Sequence, residues 1–396
     1  MRVLSVQVRD FRTYSRAQVA LGDGLTVVYG PNGAGKSNLL EAIYFGCCGR
    51  SPRTRNEREL VRFGESATRV TVKLVEDEPS RSPSLERPST PSPEREHELS
   101  IGFQPGEAKR MSADGASVQR LLDAPARPLV SVFMPDRLEL VKGTPSVRRA
   151  HLDQVVAAFW PARAQERRAY AQVLAQRNAL LGRARAGAGT RASIATWDRQ
   201  LAKHAIVLRD LRARATALLA EPFAQRAAQL GLEGEVRLEY RPRTNAPDEE
   251  TLVAELAERL ETDLQRGFSG YGPHRDELAL LRDGRMLGSY GSQGEQRLAL
   301  LALLLAERAA LAAERGRMPL MLLDDVMSEL DSQRRELLTR ELAGGGQSVI
   351  ATTDLAHVPG ASGPAVARLR VSPGAVLREA SEQETPPANA AEASAA

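Results

Sequence analysis

The sequence predicts an α/β fold: a head of mixed sheet and helices joined to a mainly helical second domain. Three observations predict it. Near residue 30 a short apolar strand runs into a glycine-rich loop and then a helix. A second apolar run, Leu320–Leu323, ends in the adjacent carboxylates Asp324 and Asp325. Between them, from Ser146 to about residue 220, the pattern is strongly helical.

The glycine-rich stretch is Gly30-Pro31-Asn32-Gly33-Ala34-Gly35-Lys36-Ser37, which fits G-x-x-x-x-G-K-[ST]. Such a loop wraps a polyphosphate with successive backbone N–H groups pointing inward, and Gly30, Gly33 and Gly35 permit the close approach. Lys36 would reach the β- and γ-phosphates, and the Ser37 hydroxyl would ligate Mg2+. Leu25–Tyr29 reads as the buried strand entering the loop. Residues 37–43, with Asn38 in the first turn, read as a helix whose N-terminus faces the phosphates. The bland alternative is a structural glycine-rich turn.

The 396 residues suffice for two or three domains and a sizeable core. A formal net charge of +4 and a pI near 9.2 suit nucleic acid without requiring it. Cys47 and Cys48 are adjacent, so a strain-free bridge between them is excluded and reduced thiols in a cytosolic protein are expected. The charged start (Arg2, Arg9, Asp10, Arg12) is not that of a secretory signal. The apolar run Leu298–Leu305 is too short to span a bilayer, so no membrane association is expected.

Along the chain, Arg2–Val8 reads as a strand, a second strand runs through Gln18–Leu21, and Gly22-Asp23-Gly24 makes a turn. Thr68–Val75 and Glu98–Phe103 read as paired strands. The Pro-, Ser- and Glu-rich stretch 76–96 between them has no apolar face, and a disordered loop is expected there, either a regulatory site or a tolerated insertion. Leu129–Met134 is a further strand, and Pro135 opens a short helix. After a glycine-rich break at 182–189, Ile194, Leu201, Leu208 and Ala215 share one heptad position, and Trp197, His204, Leu211 and Leu218 another. Two helices joined here would make an antiparallel arm, with His204 packed on its seam. Residues 151–220 carry twelve Arg/Lys against four Asp/Glu. Such an arm could follow a phosphate backbone or merely present a solvated face. Glu235–Tyr240 reads as a strand, Asp248–Arg266 as a helix with an Asp cap, and Glu277–Leu281 with Met286–Leu287 as a hairpin. The tail from residue 375 reads as disordered.

A buried strand ending in Asp324 and Asp325 completes an ATPase site: the first carboxylate holds magnesium and the second orients the attacking water. Ser37 and Asp324 lie 287 positions apart, so the chain leaves the nucleotide domain and returns. Ser292-Gln293-Gly294 before the apolar helix resembles the signature loop of ABC-type ATPases, which binds the γ-phosphate held by the opposite subunit. Ser328-Glu329-Leu330-Asp331 resembles their D-loop. Thr352 or Thr353 stands where many ABC proteins carry a switch histidine.

The whole set resembles the RecF family, bacterial recombination mediators with an ABC-type head related to SMC and Rad50 proteins. The motifs that carry the resemblance are Phe11-Arg12-Thr13-Tyr14, Gly30–Ser37, Pro135–Asp153 (with Lys142-Gly143-Thr144-Pro145, Arg148 and Arg149), Gly272-Pro273-His274-Arg275-Asp276, Ser292-Gln293-Gly294 and Leu322–Leu330. Glu295 departs from the Gln usual in the family, His151 from an aromatic, and stretch 76–96 looks like an addition. A carboxylate at 295 would repel a γ-phosphate unless it points away.

The resemblance implies an ABC-type P-loop ATPase head formed by residues 1–134 and 270–374, and a helical arm or second lobe at 135–269. It implies ATP and Mg2+ as cofactors, held by residues 30–38 with Arg12, Ser292 and Gly294, and catalysis by Lys36 and Asp325. It implies an ATP-dependent homodimer acting as a clamp on single-stranded, gapped or junction DNA, with weak DNA-stimulated ATP hydrolysis as a switch. RecR and RecO would be the partners in loading RecA, in support of recombinational repair, replication restart and the SOS response in the cytoplasm. Arg148 and Arg149 are the candidate DNA contacts. The competing readings are an ABC transporter subunit and a structural SMC-like protein.

Overall fold

The computed structural model describes residues 1–76, 95–121, 124, 126–187 and 191–379. Most of the expected 76–96 loop, three residues at the glycine-rich break and the tail from 380 therefore lie outside the described residues. The chain forms two compact units: Met1–Met134 together with the chain from Met318 onward, and Pro135–Arg317.

In chain order, the first unit begins with β1 (Arg2–Phe11), β2 (Tyr14–Ala20), β3 (Leu25–Tyr29) and α1 (Lys36–Cys48). It continues through β4 (Thr68–Val75), β5 (Glu96–Phe103), β6 (Arg110–Ala113), β7 (Ala116–Val118) and β8 (Val130–Phe133). The second unit holds α2 (Glu139–Lys142), α3 (Pro145–Phe159), α4 (Glu166–Arg185), α5 (Arg191–Gln229), β9 (Val236–Arg241), α6 (Glu249–Glu258), α7 (Leu260–Arg266), β10 (Glu277–Arg282), β11 (Arg285–Met286), α8 (Leu287–Tyr290) and α9 (Gln293–Arg315). The chain returns to the first unit with β12 (Leu320–Asp324), α10 (Ser332–Ala343), β13 (Ser348–Thr352), β14 (Ala367–Ser372) and β15 (Ala375–Arg378).

Two six-stranded sheets build the first unit. One is antiparallel, in the order β2-β1-β4-β5-β6-β7; the other runs β15-β14-β3-β13-β12-β8 and is parallel except for its β15 edge. Helix α1 contacts strands of both sheets. That explains why it is apolar around most of its circumference: Leu39, Leu40, Ile43 and Phe45 are all fully buried. Each contributes about 1.5–3 kcal/mol by leaving water. The parallel strands are buried on both faces and read as continuous apolar runs, whereas β1 and β4 alternate and bury only one face. β15 overturns part of the expected disordered tail: Val371 pairs with Val376 in a hairpin that closes the parallel sheet.

In the second unit, α4 and α5 pack together as the helical hairpin expected. α5 spans 39 residues and also packs on α3, α6, α9 and β9, so it is enclosed by the unit rather than paired with α4 alone. Ile194, Leu201, Leu208 and Ala215 are all buried. The second buried line, however, is Asp198, Ala205, Arg212 and Leu219; the expected Trp197, His204, Leu211 and Leu218 are only half-buried. Asp198 is held by the fully buried Arg177, and Arg212 by Asp153 and Asp276. Paired charges can occupy a core position that a hydrophobic pattern does not reveal. The helix expected at 248–266 breaks at Arg259 into α6 and α7, and Asp248 caps it as expected, accepting from Thr251 N at 2.8 Å. Residues 270–317 pack within this second unit.

Candidate nucleotide-binding site

The loop at 30–37 joins the C-terminal end of β3 to α1, in the first unit. Its conformation requires glycine at two places. Gly30 has φ +153°, and a Cβ there would lie 2.2 Å from the Val371 carbonyl oxygen. Gly35 has φ +112°, and a Cβ would lie 2.9 Å from the Tyr14 hydroxyl, which donates to the Gly35 carbonyl at 2.9 Å. Tyr14 is fully buried, so the β1–β2 hairpin forms the floor of the loop. The Lys36 ammonium donates to the carbonyls of Gly30 (2.9 Å) and Pro31 (3.0 Å), which places it inside the loop's curve. Burial lowers its pKa; the negative charges of Asp325 and Asp324 act in the opposite direction.

Asp324 ends β12, and its register partner Ala351 lies on β13. It is buried, which raises its pKa; the nearby Ser37 hydroxyl opposes the shift. The fold thus closes the distance between positions 37 and 324. A hydroxyl beside one carboxylate fits magnesium, which takes one or two protein oxygens and completes its shell with phosphate oxygens and water. Among the described residues no group of three or more His, Cys, Asp or Glu is placed to hold a metal ion.

Asp325 adopts a left-handed conformation, φ +52°, and its N–H bonds the Ala351 carbonyl at 3.0 Å. Its Oδ1 is buried with no hydrogen-bond partner among the described residues. A non-glycine residue in that region stores strain, and an orphaned carboxylate oxygen has its acceptor capacity free for a water. Ser328 donates to the Asp325 carbonyl at 2.9 Å, and Asp331 caps α10. Thr352 is buried at the end of β13 and donates to the Asp354 carbonyl at 3.1 Å; Thr353 is half-exposed.

The other expected ligands gather around Glu41 of α1, whose side chain is fully buried. Arg12 donates to it through Nε and Nη2, and the Ser51 hydroxyl at 2.5 Å. Asn38 donates to Thr13 Oγ1 at 3.1 Å. Arg53 donates to Asn38 Oδ1 (3.0 Å) and Glu41 Oε2 (3.2 Å), and its charge opposes the rise that burial imposes on the Asp324 pKa. Arg53 escaped the reading of the sequence. It lies in an arginine-rich loop with no motif of its own, and only the fold brings it to the site.

Ser292 lies in the second unit as the N-cap of α9. Its hydroxyl accepts from Glu295 N at 3.3 Å, and the Glu295 carboxylate accepts from Ser292 N at 2.7 Å, a capping box. Glu295 also pairs with Arg282. Its carboxylate is therefore turned back onto its own helix end. Ser292, Gln293 and Gly294 are exposed.

The structure removes Arg148 as an accessible DNA contact. It is buried, with Nε and Nη2 on Glu277 (2.7 and 2.8 Å) and Nη1 on the Gly143 carbonyl (2.7 Å). Arg149 is half-buried and donates to the Asp276 carbonyl at 2.7 Å; desolvation, then the nearby Arg212 charge, lowers its pKa. His151, at the position usually aromatic, bonds Glu307 at 2.5 Å, a polar pair in place of a ring contact.

The family model described as RecF/RecN/SMC N terminal domain matches residues 2–354. A DNA replication and repair protein RecF from Myxococcus xanthus is 37% identical over 98% of this chain and 100% of its own length. The chain belongs to the RecF family of DNA replication and repair proteins. The RecF protein of Herpetosiphon aurantiacus is 36% identical over 90% of this chain and 94% of its own. Among solved structures, the recombination mediator protein RecF bound to ATP, of the RecFOR pathway, superposes with a TM-score of 0.81 at 26% identity, covering 96% of this chain and 97% of that one. An Smc head bound to the C-winged helix domain of ScpA matches with a TM-score of 0.57 at 16% identity, which shows the shared ABC-type head fold alone. No helix among the described residues is long and apolar enough to cross a membrane.

Proposed function

We propose that this RecF-family chain is an ATP-gated dimeric DNA clamp of recombinational repair and replication restart. The observation that carries the reading is the strand register: Asp324 pairs with Ala351 and Ala351 with Val28, which sets the carboxylate at the end of β12 beside the end of the strand that enters the phosphate loop. Lys36 and the loop N–H groups bind the phosphates of ATP. Ser37 and Asp324 hold Mg2+, which neutralises charge on the β- and γ-phosphates when bound. Asp325 orients the attacking water. Ser292 and Gly294 serve the nucleotide of a second copy, so a two-fold dimer encloses two ATP molecules. The nucleotide-binding head on this reading draws on residues 1–134 and 318–374, and residues 270–317, which pack with the second unit, supply the Ser292 loop. Hydrolysis is slow, DNA-stimulated, and opens the dimer.

The outer face of the antiparallel sheet supports a DNA surface better than α3 does. Arg16, Arg9 and Arg69 sit directly opposite one another across β2, β1 and β4, and Arg110 follows beyond Gly102. All four are exposed. Like charges in register destabilise a sheet, which a polyanion laid across them would relieve. The next row, Gln18, Gln7, Thr71, Ser100, Ser112 and Ser117, is uncharged. On this reading the chain works at gapped or junction DNA, with RecR and RecO as partners in loading RecA in the cytoplasm; the relatives' description as DNA replication and repair proteins and the RecFOR pathway named for the matching structure support it.

Light scattering with and without ATP, Mg2+ and gapped DNA tests the reading. Wild type doubles in mass with ATP. Lys36→Met neither binds ATP nor dimerises, and Ser292→Arg binds ATP as a monomer only. A Ser292→Arg protein that dimerises normally would refute the composite site.

A further inference from the structure

The Ser292 loop rests on α2, through the short helix α8 that precedes it. The first observation is a close approach of two backbones. A Cβ on Gly288, in α8, would lie 2.3 Å from the Val141 carbonyl oxygen and 3.2 Å from Lys142 Cα. The second is the way α8 is bound to α9. Gln296 is buried in the first turn of α9, and its Nε2 reaches the carbonyls of Leu287 (3.2 Å), Gly288 (3.2 Å) and Gly291 (3.0 Å). Residues 287–291 therefore move as one piece with the helix end that carries Ser292.

The third observation is what fixes the bed. Arg148 Nη1 donates to the carbonyls of Gly143 (2.7 Å) and Val141 (3.4 Å), the second being the atom pressed against Gly288. The other edge of the same guanidinium clamps Glu277 at the start of β10. The neighbouring Asp276 is held by Arg212, Tyr240 and the Arg243 N–H. One planar fork thus ties the strand end to the loop beneath α8, which a lysine ammonium cannot span in two directions.

We infer that Arg148 is a positioning residue for the Ser292 loop, acting through the 141–143 backbone and Gly288, and has no direct contact with DNA. The inference rests on the composite-site reading above. It extends that reading by naming what holds the partner-facing loop in register. Gly288 is required for the same purpose, since any side chain would lift α8 from its bed.

The test pairs Arg148→Lys with Gly288→Ala, which reach the loop from opposite sides of one contact. ATP titration and light scattering with ATP and Mg2+ are read on both, beside wild type and Ser292→Arg. Both variants bind ATP as wild type does, because residues 30–37 and 324 belong to the other compact unit. Both weaken ATP-dependent dimerisation by about tenfold or more, Arg148→Lys by losing a buried charge-assisted hydrogen bond and Gly288→Ala by forcing α8 off the Val141 carbonyl. A melting scan separates this from general unfolding. If either variant melts with wild-type cooperativity and dimerises normally while Ser292→Arg does not, the inference falls and the composite site stands. If dimerisation is normal but DNA affinity drops in Arg148→Lys, Arg148 is a DNA contact and the inference is again overturned. If Ser292→Arg itself dimerises, the composite site fails and takes the inference with it.

Discussion

Arg12 donates to Glu41 through Nε and Nη2, each at 2.9 Å, across the boundary between the β1–β2 turn and α1. The carboxylate is fully buried and also receives Ser51 and Arg53. Glu41→Ala would remove the buried carboxylate that two partly desolvated guanidinium groups share. The expected cost is about 3 kcal/mol, the lower end for breaking a buried pair, because Arg12 and Arg53 keep some water. Equilibrium denaturation measures it. A loss below about 0.5 kcal/mol, typical of surface pairs, would mean that solvent replaces the carboxylate.

Asp325→Asn preserves both the side-chain volume and the tolerance of left-handed backbone, and removes only the carboxylate charge. ATP binding and the dimer should persist, and single-turnover phosphate release should slow by about a hundredfold or more, the usual yield of a positioned base. Release at the wild-type rate would assign the water to another group, with Thr352 and Thr353 next in line.

The phosphate loop and the carboxylate strand were legible because their chemistry is local: each is one strand with its next few residues, and Gly30 and Asp324 announce them. The arrangement around Glu41 was not legible, since Arg12, Ser51 and Arg53 converge only after the sheet has folded over α1. The phase of α5 was misread by one residue for a related reason. Apolar counting favours Trp197 and Leu211, whereas Asp198 and Arg212 enter the core because Arg177, Asp153 and Asp276 neutralise them. Arg148 looked like a surface cation in an arginine-rich segment; Glu277, 129 positions away, makes it an internal clamp.

DNA affinity should fall steeply with salt, with a log–log slope that becomes shallower by about one for each phosphate contact removed. Arg16→Ala and Arg69→Ala should each do this, since neither forms an ion pair within 4.0 Å among the described residues. Filter binding between about 50 and 200 mM salt gives the slopes. Slopes unchanged in both variants would move DNA off this sheet face.

Deleting Pro79–Pro93 should leave folding and ATP binding intact. β4 and β5 stay in register to the Val75–Glu96 pair, and Glu76 N still donates to the Arg95 carbonyl at 3.2 Å. Residues 77, 78 and 94 then make a three-residue hairpin loop, a common length. Each halving of a loop favours folding by about 0.6 kcal/mol. A large fall in melting temperature would show that the segment contributes to the head.

His274 supplies a pH test of the loop that leads into β10. Its Nε2–H donates to the Ser269 carbonyl at 2.9 Å, and its Nδ1 accepts from the Tyr170 hydroxyl at 2.7 Å. Both bonds suit the neutral ring. Burial lowers its pKa to about 4; Arg275 and Arg149 push the same way, against the Ser269 carbonyl and Asp263. The unfolded chain has an ordinary histidine of pKa about 6.5. Above that value neither state binds the proton and the ring adds no pH dependence. As pH falls from about 6.5 to about 4, only the unfolded state gains a proton, so stability is lost through that window and the loss levels off below it. The integrated effect is on the order of 2–3 kcal/mol. His274→Gln retains a donor for Ser269 but does not titrate. Its stability relative to wild type should therefore rise as pH drops from 7 to 4, measured by denaturant unfolding at several pH values. The comparison cancels the shared contribution of Asp276, whose pKa burial raises. A constant difference across that range would mean that His274 accepts its proton in the folded protein as readily as in the unfolded one.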